Sequence, residues 1–493
     1  MDISPEIALY RAAQVRALDR AAIDGHGVPG YELMCRAGTA AYAELRARWP
    51  QARRIVVVCG GGNNAGDGYV VARLALADGL EAKLLHLVEP DRLKGDAATA
   101  AAAWHAAGGH SEPFDVACLA DAEVIVDALL GTGLERPVEG AWADAVAAIN
   151  QAGAPVLALD TPSGLDTDRG VALGCAVCAT ATVTFVGQKP GLLTGDGPDH
   201  AGTVSYARLD LPASVYAGEK PAARLIDDGD LESLQAPRRR NSHKGDHGRV
   251  LVVGGNMGMS GAALLAGSAA LRAGTGLVSL ATRSEHAAAL TAARPELMCH
   301  GVLTAADLRP LLRDADVVAI GPGLGRNGWA VALLGAALDC GRPLVVDADA
   351  LNLLALDPAC RDDWVLTPHP GEAARLLGTD TAALQADRLA AVERLQERFG
   401  GAVVLKGAGS LVADGVDPLA LCSEGNPGMA VGGFGDLLTG IVAALHAQGL
   451  NAGQAARAGV LLHARAADVA AADGERGLLP SDVLGPLRRL VNS

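Results

Sequence analysis

Short unbroken apolar runs, each ending in glycines or a single polar residue, recur along this chain. In the first half, Arg53–Cys59 (RRIVVVC) runs into GGGNNAGDG, and Val124–Asp127 runs into ALLGTGLERP. Pro155–Asp160 (PVLALD) runs into TPSGLD, and Ala179–Val186 (ATATVTFV) into GQKPGLLTG. In the second half the same grammar appears at Val250–Gly255 (VLVVGG), VVAIGPGLG, PLVVDADALNLL, WVLTPHPGEAARLLG and Ala402–Ser410 (AVVLKGAGS). Runs of this kind predict strands buried on both faces, as in parallel sheets. The segments between them carry helical spacing. Val15, Leu18 and Ala22 stand at i, i+3 and i+7 with charged residues between, a second helix is predicted around Ala40–Trp49, and YVVARLALADG follows the first glycine loop. Leu437, Ile441 and Leu445 mark one face of a late helix. Asp210–Pro237 breaks the pattern with polar residues and prolines and has no long apolar run. The chain therefore reads as two α/β domains, residues 1–216 and 224–493, the first a Rossmann-like three-layer domain.

Length and composition agree. A chain of 493 residues exceeds one ordinary core. Half of it is apolar and only 3% aromatic, which suits Ala-, Val- and Leu-rich α/β packing. A formal charge of −15 argues against nucleic acid or an anionic membrane as partner. The nine scattered cysteines fit reduced thiols, and the lone Cys175–Cys178 pair reads as packing. The N-terminus lacks a basic start followed by an apolar run, and no stretch is apolar enough to span a bilayer, so a cytoplasmic location is expected.

Two stretches carry candidate chemistry in the second half. Gly425–Gly440 (GNPGMAVGGFGDLLTG) places glycines and Asp436 at the start of the late helix. Bare backbone N–H groups and a helix N-terminus cradle phosphate, and a carboxylate among them needs a task, such as taking a proton from a hydroxyl. The alternative is that Asp436 only caps the helix. Lys406–Ser410 (KGAGS) is a second phosphate-type loop. His369, between two prolines, is a further contact candidate. His243 and His247 lack the context of a zinc helix, since Gly245 lies between them. In the first half, Asn63, Asn64, Asp67, Asp127, Asp160 and Ser163 all fall at strand ends, where open parallel sheets bind ligands. Neither GxGxxG nor a P-loop is present.

The order LKGAGS then GNPGMAVGGFGDLLTG, with GPGLG, DADALN and TPHPGE before it, resembles the ribokinase-like NAD(P)H-hydrate dehydratases over about Arg224–Leu490. GGGNNAGDGYVVARL, VDALLGTGL and LDTPSGLD resemble the NAD(P)H-hydrate epimerase domain over roughly Tyr10–Leu211. The epimerase resemblance implies potassium on Asn64, Asp127 and Ser163. It places the hydrated dinucleotide against Asn63, Asn64, Ala65, Gly66 and Asp67, against Gly131, Thr132, Gly133, Leu134, Glu135, Arg136 and Pro137, and against Asp160 as acid/base. The dehydratase resemblance implies hydrate contacts at Ala262, Gly323, His369 and Asp436. It places an adenosine nucleotide at Lys406, Gly407, Ala408, Gly409, Ser410 and Gly435, with magnesium accompanying it. Two positions depart from the epimerase pattern. Ala65 replaces a glycine and would crowd the loop if φ must be positive there. Cys35 stands where an acid is usual.

These resemblances imply a bifunctional enzyme acting on small molecules only, namely hydrated NADH or NADPH and ADP or ATP, and a homo-oligomer is expected. The first half would interconvert R and S hydrates. The second would dehydrate the S form at the expense of the nucleotide. The rivals are a ribokinase-like small-molecule kinase and a first half that only senses nucleotide.

Overall fold

The structure is a computed structural model describing residues 3–134, 136–234 and 237–492. The chain divides into two compact units, Met1–Arg224 and Leu225–Ser493. The candidate residue Glu135 lies outside the described residues.

The first unit contains a seven-stranded sheet: β1 Arg54–Cys59, β2 Glu81–His86, β3 Ser111–Pro113, β4 Val124–Ala128, β5 Val156–Leu159, β6 Ala181–Phe185 and β7 Thr203–Ala207. All neighbours are parallel, in the order 7-6-5-4-1-2-3. The central strands bury both faces, and their alternate residues enter two different cores. Ile55, Val57, Val124 and Val126 pack under helices α1 Ala12–Arg20, α2 Gly30–Arg48, α3 Asn63–Ala77 and α4 Gly95–Ala106. Val56, Val58, Ile125 and Ala158 pack on the other side, under α5 Ala141–Gln151. This is the period-2 consequence of strand geometry in a three-layer unit. The strand order reverses between β1 and β4, which opens a crevice at their carboxyl ends.

Two helix starts differ from the sequence reading. α2 begins at Gly30, well before the Ala40 start expected, so YELMCRAG is helical. α3 begins at Asn63, inside the run read as a loop, with Gly62 as its cap residue. The reason is tertiary. A β-carbon on Gly66 would lie 2.5 Å from Met34 Sδ, and one on Gly68 would lie 2.6 Å from Ala128 Cβ, so glycine lets this helix sit close to its neighbours. That packing outweighs the weak helix propensity of glycine.

The second unit repeats the plan with β8 Arg249–Val253, β9 Leu277–Thr282, β10 Met298–Gly301, β11 Val317–Ile320, β12 Leu344–Val346, β13 Trp364–Leu366, β14 Ala402–Leu405, β15 Ser410–Ala413 and β16 Ala420–Cys422. From one edge the order is 10-9-8-11-12-13-14, all parallel, continued by antiparallel 15 and 16. The order reverses between β8 and β11. Helices α6 Ser260–Arg272, α7 Pro370–Leu377, α8 Arg388–Phe399, α9 Phe434–Ala447, α10 Ala452–Ala470 and α11 Pro480–Leu490 flank the sheet. Val250, Val317, Val345 and Val404 share one core with α6, α9 and α10. Among the described residues, no helix is long and apolar enough to cross a membrane.

Candidate active sites

In the first unit a cavity of about 890 Å³ opens at the β1/β4 reversal. Asn63, Asn64, Asp67, Gly131, Thr132, Gly133, Leu134, Arg136 and Asp160 all line it. Ala65 and Gly66 do not. Ala65 is fully buried in the core. Their N–H groups are spent on the Gly62 carbonyl at 3.1 and 3.4 Å. Ala65 is in ordinary helical backbone, so the feared crowding does not arise. Pro137 is exposed and is not part of the cavity wall.

Behind the wall, Asp127 is wholly buried. Its Oδ1 accepts from Ser163 Oγ at 2.6 Å and Leu129 N at 3.2 Å, and its Oδ2 accepts from Ser163 N at 2.8 Å. The Leu130 carbonyl accepts from Asn64 Nδ2 at 3.1 Å and lies 3.2 Å from Ser163 Oγ. The three residues assigned to potassium are thus brought together around one loop. Asn64 Oδ1 is buried and has no hydrogen-bond partner. Burial raises the Asp127 carboxyl to about 6, against the lowering effect of the Ser163 and Leu129 donors. An orphaned amide oxygen, a hydroxyl, a carbonyl and one carboxylate form an all-oxygen donor set.

Asp160 is held in left-handed backbone with φ 65. Its Oδ1 accepts from the Lys189 ammonium and from Phe185 N at 3.1 Å. Lys189 is fully buried and also donates to Thr184 Oγ1 at 2.8 Å and the Phe185 carbonyl at 3.1 Å. The sequence reading missed Lys189, although GQKPG at the end of β6 held the signal. It also missed Asp19 of α1, which lines the same cavity. Burial raises the Asp19 carboxyl to about 6, with the Asp160 charge adding to the effect. Asp67 is raised well above its ordinary range, by burial first and then by Asp160 and Asp19. Strain concentrates here. Of the five non-glycine residues with positive φ among the described residues, Asp160, Val186 and Leu209 all line this cavity. The Val186 carbonyl is pinned by the hydroxyls of Tyr206 and Tyr216, each at 2.7 Å. Such strain persists only where the surroundings over-determine it.

In the second unit, Gly433 is the cap residue of α9, in left-handed backbone with φ 108. Asp436 is the third helical residue, so it is not the cap. Burial, reinforced by Asp347, raises its carboxyl to about 7, against the lowering effect of Lys406. Asp347, at the end of β12, is buried. Its Oδ1 accepts from Lys406 Nζ at 2.8 Å and its Oδ2 from Thr439 Oγ1 at 2.7 Å. A β-carbon on Gly435 would lie 3.2 Å from Lys406 Nζ. Lys406 is therefore paired with Asp347 under the helix start. Asp347 and Thr439 were both missed, although DADALN marked the strand end.

Ala262 and Gly323 are neighbours: a β-carbon on Gly323 would lie 3.2 Å from Ala262 Cβ. His369 is exposed and caps α7. Its Nδ1 accepts from Gly371 N at 3.0 Å, and its Nε2 lies 3.3 Å from Glu372 Oε1. The KGAGS turn is strapped from behind by the buried Arg388 guanidinium, which donates to the Lys406 carbonyl at 3.2 Å and the Gly409 carbonyl at 3.5 Å. Gly407 and Gly409 both have positive φ, and a β-carbon on Gly407 would lie 2.9 Å from Arg388. Ser410 Oγ donates to the Gly407 carbonyl at 3.1 Å. His247 Nε2 lies 3.0 Å from Ser242 Oγ, and His243 Nδ1 lies 3.2 Å from Asp246 Oδ1. Cys178 is exposed and 3.7 Å from His200 Nδ1, so it is not the packing residue expected.

Residues 250–488 match the family model described as NAD(P)H-hydrate dehydratase, and residues 30–191 match that described as YjeF-related protein N-terminus. A bifunctional NAD(P)H-hydrate repair enzyme of Coxiella burnetii is 50% identical over 98% of this chain and 99% of its own length. The enzyme of the same name from Escherichia coli is 46% identical over 98% and 94%. Among solved structures, a ribokinase-like superfamily protein from Enterococcus faecalis aligns with 29% identity and a TM-score of 0.51, covering 55% of this chain and 96% of its own. With both domain models matched and relatives aligned end to end, the chain belongs to the family of bifunctional NAD(P)H-hydrate repair enzymes.

Proposed function

We propose that residues 1–216 interconvert the R and S epimers of NADH or NADPH hydrated at C6, and that residues 224–493 dehydrate the S epimer. The observation that carries this reading is Asp436. It is an acid raised to about 7, beside a glycine turn at a helix start, so it sits near its midpoint at neutral pH. Asp436 takes the proton of the C6 hydroxyl as a phosphoryl group is transferred to that oxygen from ADP or ATP, leaving AMP or ADP. The Gly432–Gly435 backbone and the α9 N-terminus face the developing charge. Phosphate then leaves C6 as a proton leaves C5, and the dihydropyridine is restored. Ala262, Gly323 and His369 contact the hydrate, and Lys406–Ser410 with Gly435 hold the nucleotide, accompanied by magnesium.

In the first unit, Asp160 is the acid/base, held in place by Lys189. Asn64, Asp127 and Ser163 would hold potassium, and the orphaned Asn64 Oδ1 supports that fit. When bound, the ion supplies fixed positive charge beside the 129–134 loop. The test is to give the protein both epimers with ADP or ATP and magnesium. Full recovery of dihydropyridine absorbance is expected. Recovery of only the S fraction would remove the epimerase reading. A phosphorylated product accumulating without free phosphate would favour a kinase.

A further inference from the structure

Asp347 is a buried carboxylate in the second unit that the mechanism above does not use. Both of its oxygens are committed, one to Lys406 Nζ at 2.8 Å and one to Thr439 Oγ1 at 2.7 Å. Thr439 is itself fixed, lying 3.1 Å from the Gly435 carbonyl in the same helix. Ala348, the next residue, is in left-handed backbone with φ 49, a strained position for a residue with a side chain. A β-carbon on Gly321 would lie 1.8 Å from the Asp347 carbonyl oxygen, so the main chain here is clamped as well. One carboxylate thus ties β12, β14 and α9 together directly beneath the turn that carries Asp436.

We propose that Asp347 is a positioning residue of the dehydratase half, which anchors the Lys406 ammonium under the Gly433–Gly435 turn so that a fixed ion pair sets the charge felt by Asp436. The inference rests on the reading of Asp436 as the base. An isolated ammonium at this position would hold Asp436 strongly ionised and make it a poor acceptor for a hydroxyl proton. An isolated carboxylate would hold it protonated at neutral pH. The pair leaves it between these limits. The other charged or titratable groups around this point are Asp349, after β12; His369 and Glu372, on α7; and His463, on α10. Asp349 and Glu372 act in the same direction as Asp347, and Lys406 is the cation that offsets them. Burial pulls the Lys406 ammonium down, but Asp347, Glu372 and Asp436 more than reverse this, so it stays charged.

The test is the pH profile of S-hydrate dehydration by the full-length protein, with ADP or ATP and magnesium. Asp347→Asn keeps the size of the side chain and leaves the Lys406 charge unopposed. The acid limb is expected to move down by about one pH unit, with slower turnover on the plateau. The double variant Asp347→Asn/Lys406→Met removes both charges, and its acid limb is expected to return toward that of the unmodified protein. Epimerisation by the same samples checks that the chain is intact. An unshifted limb in Asp347→Asn, or identical limbs in the single and double variants, would overturn the proposal. If Asp347→Asn fails to fold, Lys406→Met decides when read at saturating nucleotide: it leaves the Asp347 carboxylate without its cation, so the acid limb is expected to move up by about one pH unit, and an unshifted limb there would overturn the proposal. Failure of the parent reading looks different: Asp436→Asn would then dehydrate normally, whatever Asp347 does.

Discussion

Asp436 differs from an ordinary helix-start acid because Gly433 already caps the helix and the carboxyl is part-buried among other acids. Asp436→Asn keeps the shape and removes the base, so dehydration is expected to fall at least tens of times, within the roughly 10²–10⁴-fold span of positioned general bases. Nucleotide binding, thermal stability and epimerisation should be retained, and near-normal dehydration would reopen the choice of base. The pH dependence has a definite sign. A base must be ionised to act, and a folded value raised to about 7 means that dehydration by the unmodified protein should rise with pH through about 7. A rate independent of pH between 6 and 8 would contradict this. Asp127→Asn should weaken epimerisation and its dependence on potassium while sparing dehydration of pure S hydrate. Asn still offers an acceptor to Leu129 N, which Ala would leave unpaired. Single residues were legible in the sequence where they stand at a strand end, as Asp127 and Asp160 do, or at a helix start beside glycines, as Asp436 does. Lys189, Asp19, Asp347, Thr439 and Arg388 were not. Strand-end motifs mark where Lys189 and Asp347 stand, but their charged partners Asp160 and Lys406 are 29 and 59 residues away in the chain, and local spacing does not encode that meeting.

At the scale of elements, the apolar runs placed most strands to within a residue or two, because burial on both faces leaves a continuous signature. Helix starts were less legible where glycines are used for close packing. The run GGGNNAGDG looks like a loop, yet most of it opens α3. The same device governs α9. A β-carbon on Gly440 would lie 2.0 Å from the Ala266 carbonyl oxygen, so α9 and α6 approach backbone to backbone there. Gly440→Ala should force the helices apart at a cost of about 1–3 kcal/mol, the usual range for overpacking. Because α9 carries Asp436, dehydration should fall together with the melting temperature of the second unit, and epimerisation should not. Unchanged melting would mean that the two helices have slack which the geometry denies.

At the scale of the whole chain, the α/β class could be read, but the strands Glu81–His86, Ser111–Pro113 and Thr203–Ala207 and the strand orders could not, since these strands lie at or beside a sheet edge and lack a continuous apolar run, and pairing depends on which runs meet across the fold. Both sheets turn out to reverse order between a first strand and a later neighbour, and the cavity of the first unit lies at its reversal, whereas Asp347 and Lys406 of the second unit follow β12 and β14, further along the sheet. The joint shows how a composition break and a structural boundary differ. Polar residues and prolines suggest an end near Tyr216. Yet Ala8 and Leu9 pair antiparallel with Arg224 and Ala223, and Ala222 N donates to the Leu9 carbonyl at 2.9 Å. A fragment ending at Tyr216 leaves that N-terminal strand without its partner. We therefore expect fragment 1–224 to fold alone, to epimerise the hydrates, and to melt higher than fragment 1–216. A difference of about 1 kcal/mol corresponds to roughly 2–4 °C in a domain of this size. Fragment 225–493 should dehydrate the S epimer and leave the R epimer untouched until the first fragment is added. Equal melting of the two N-terminal fragments would show that the 223–224 pairing contributes nothing. Dehydration of the R epimer by the second fragment alone would mean that the epimerising activity does not belong to the first unit.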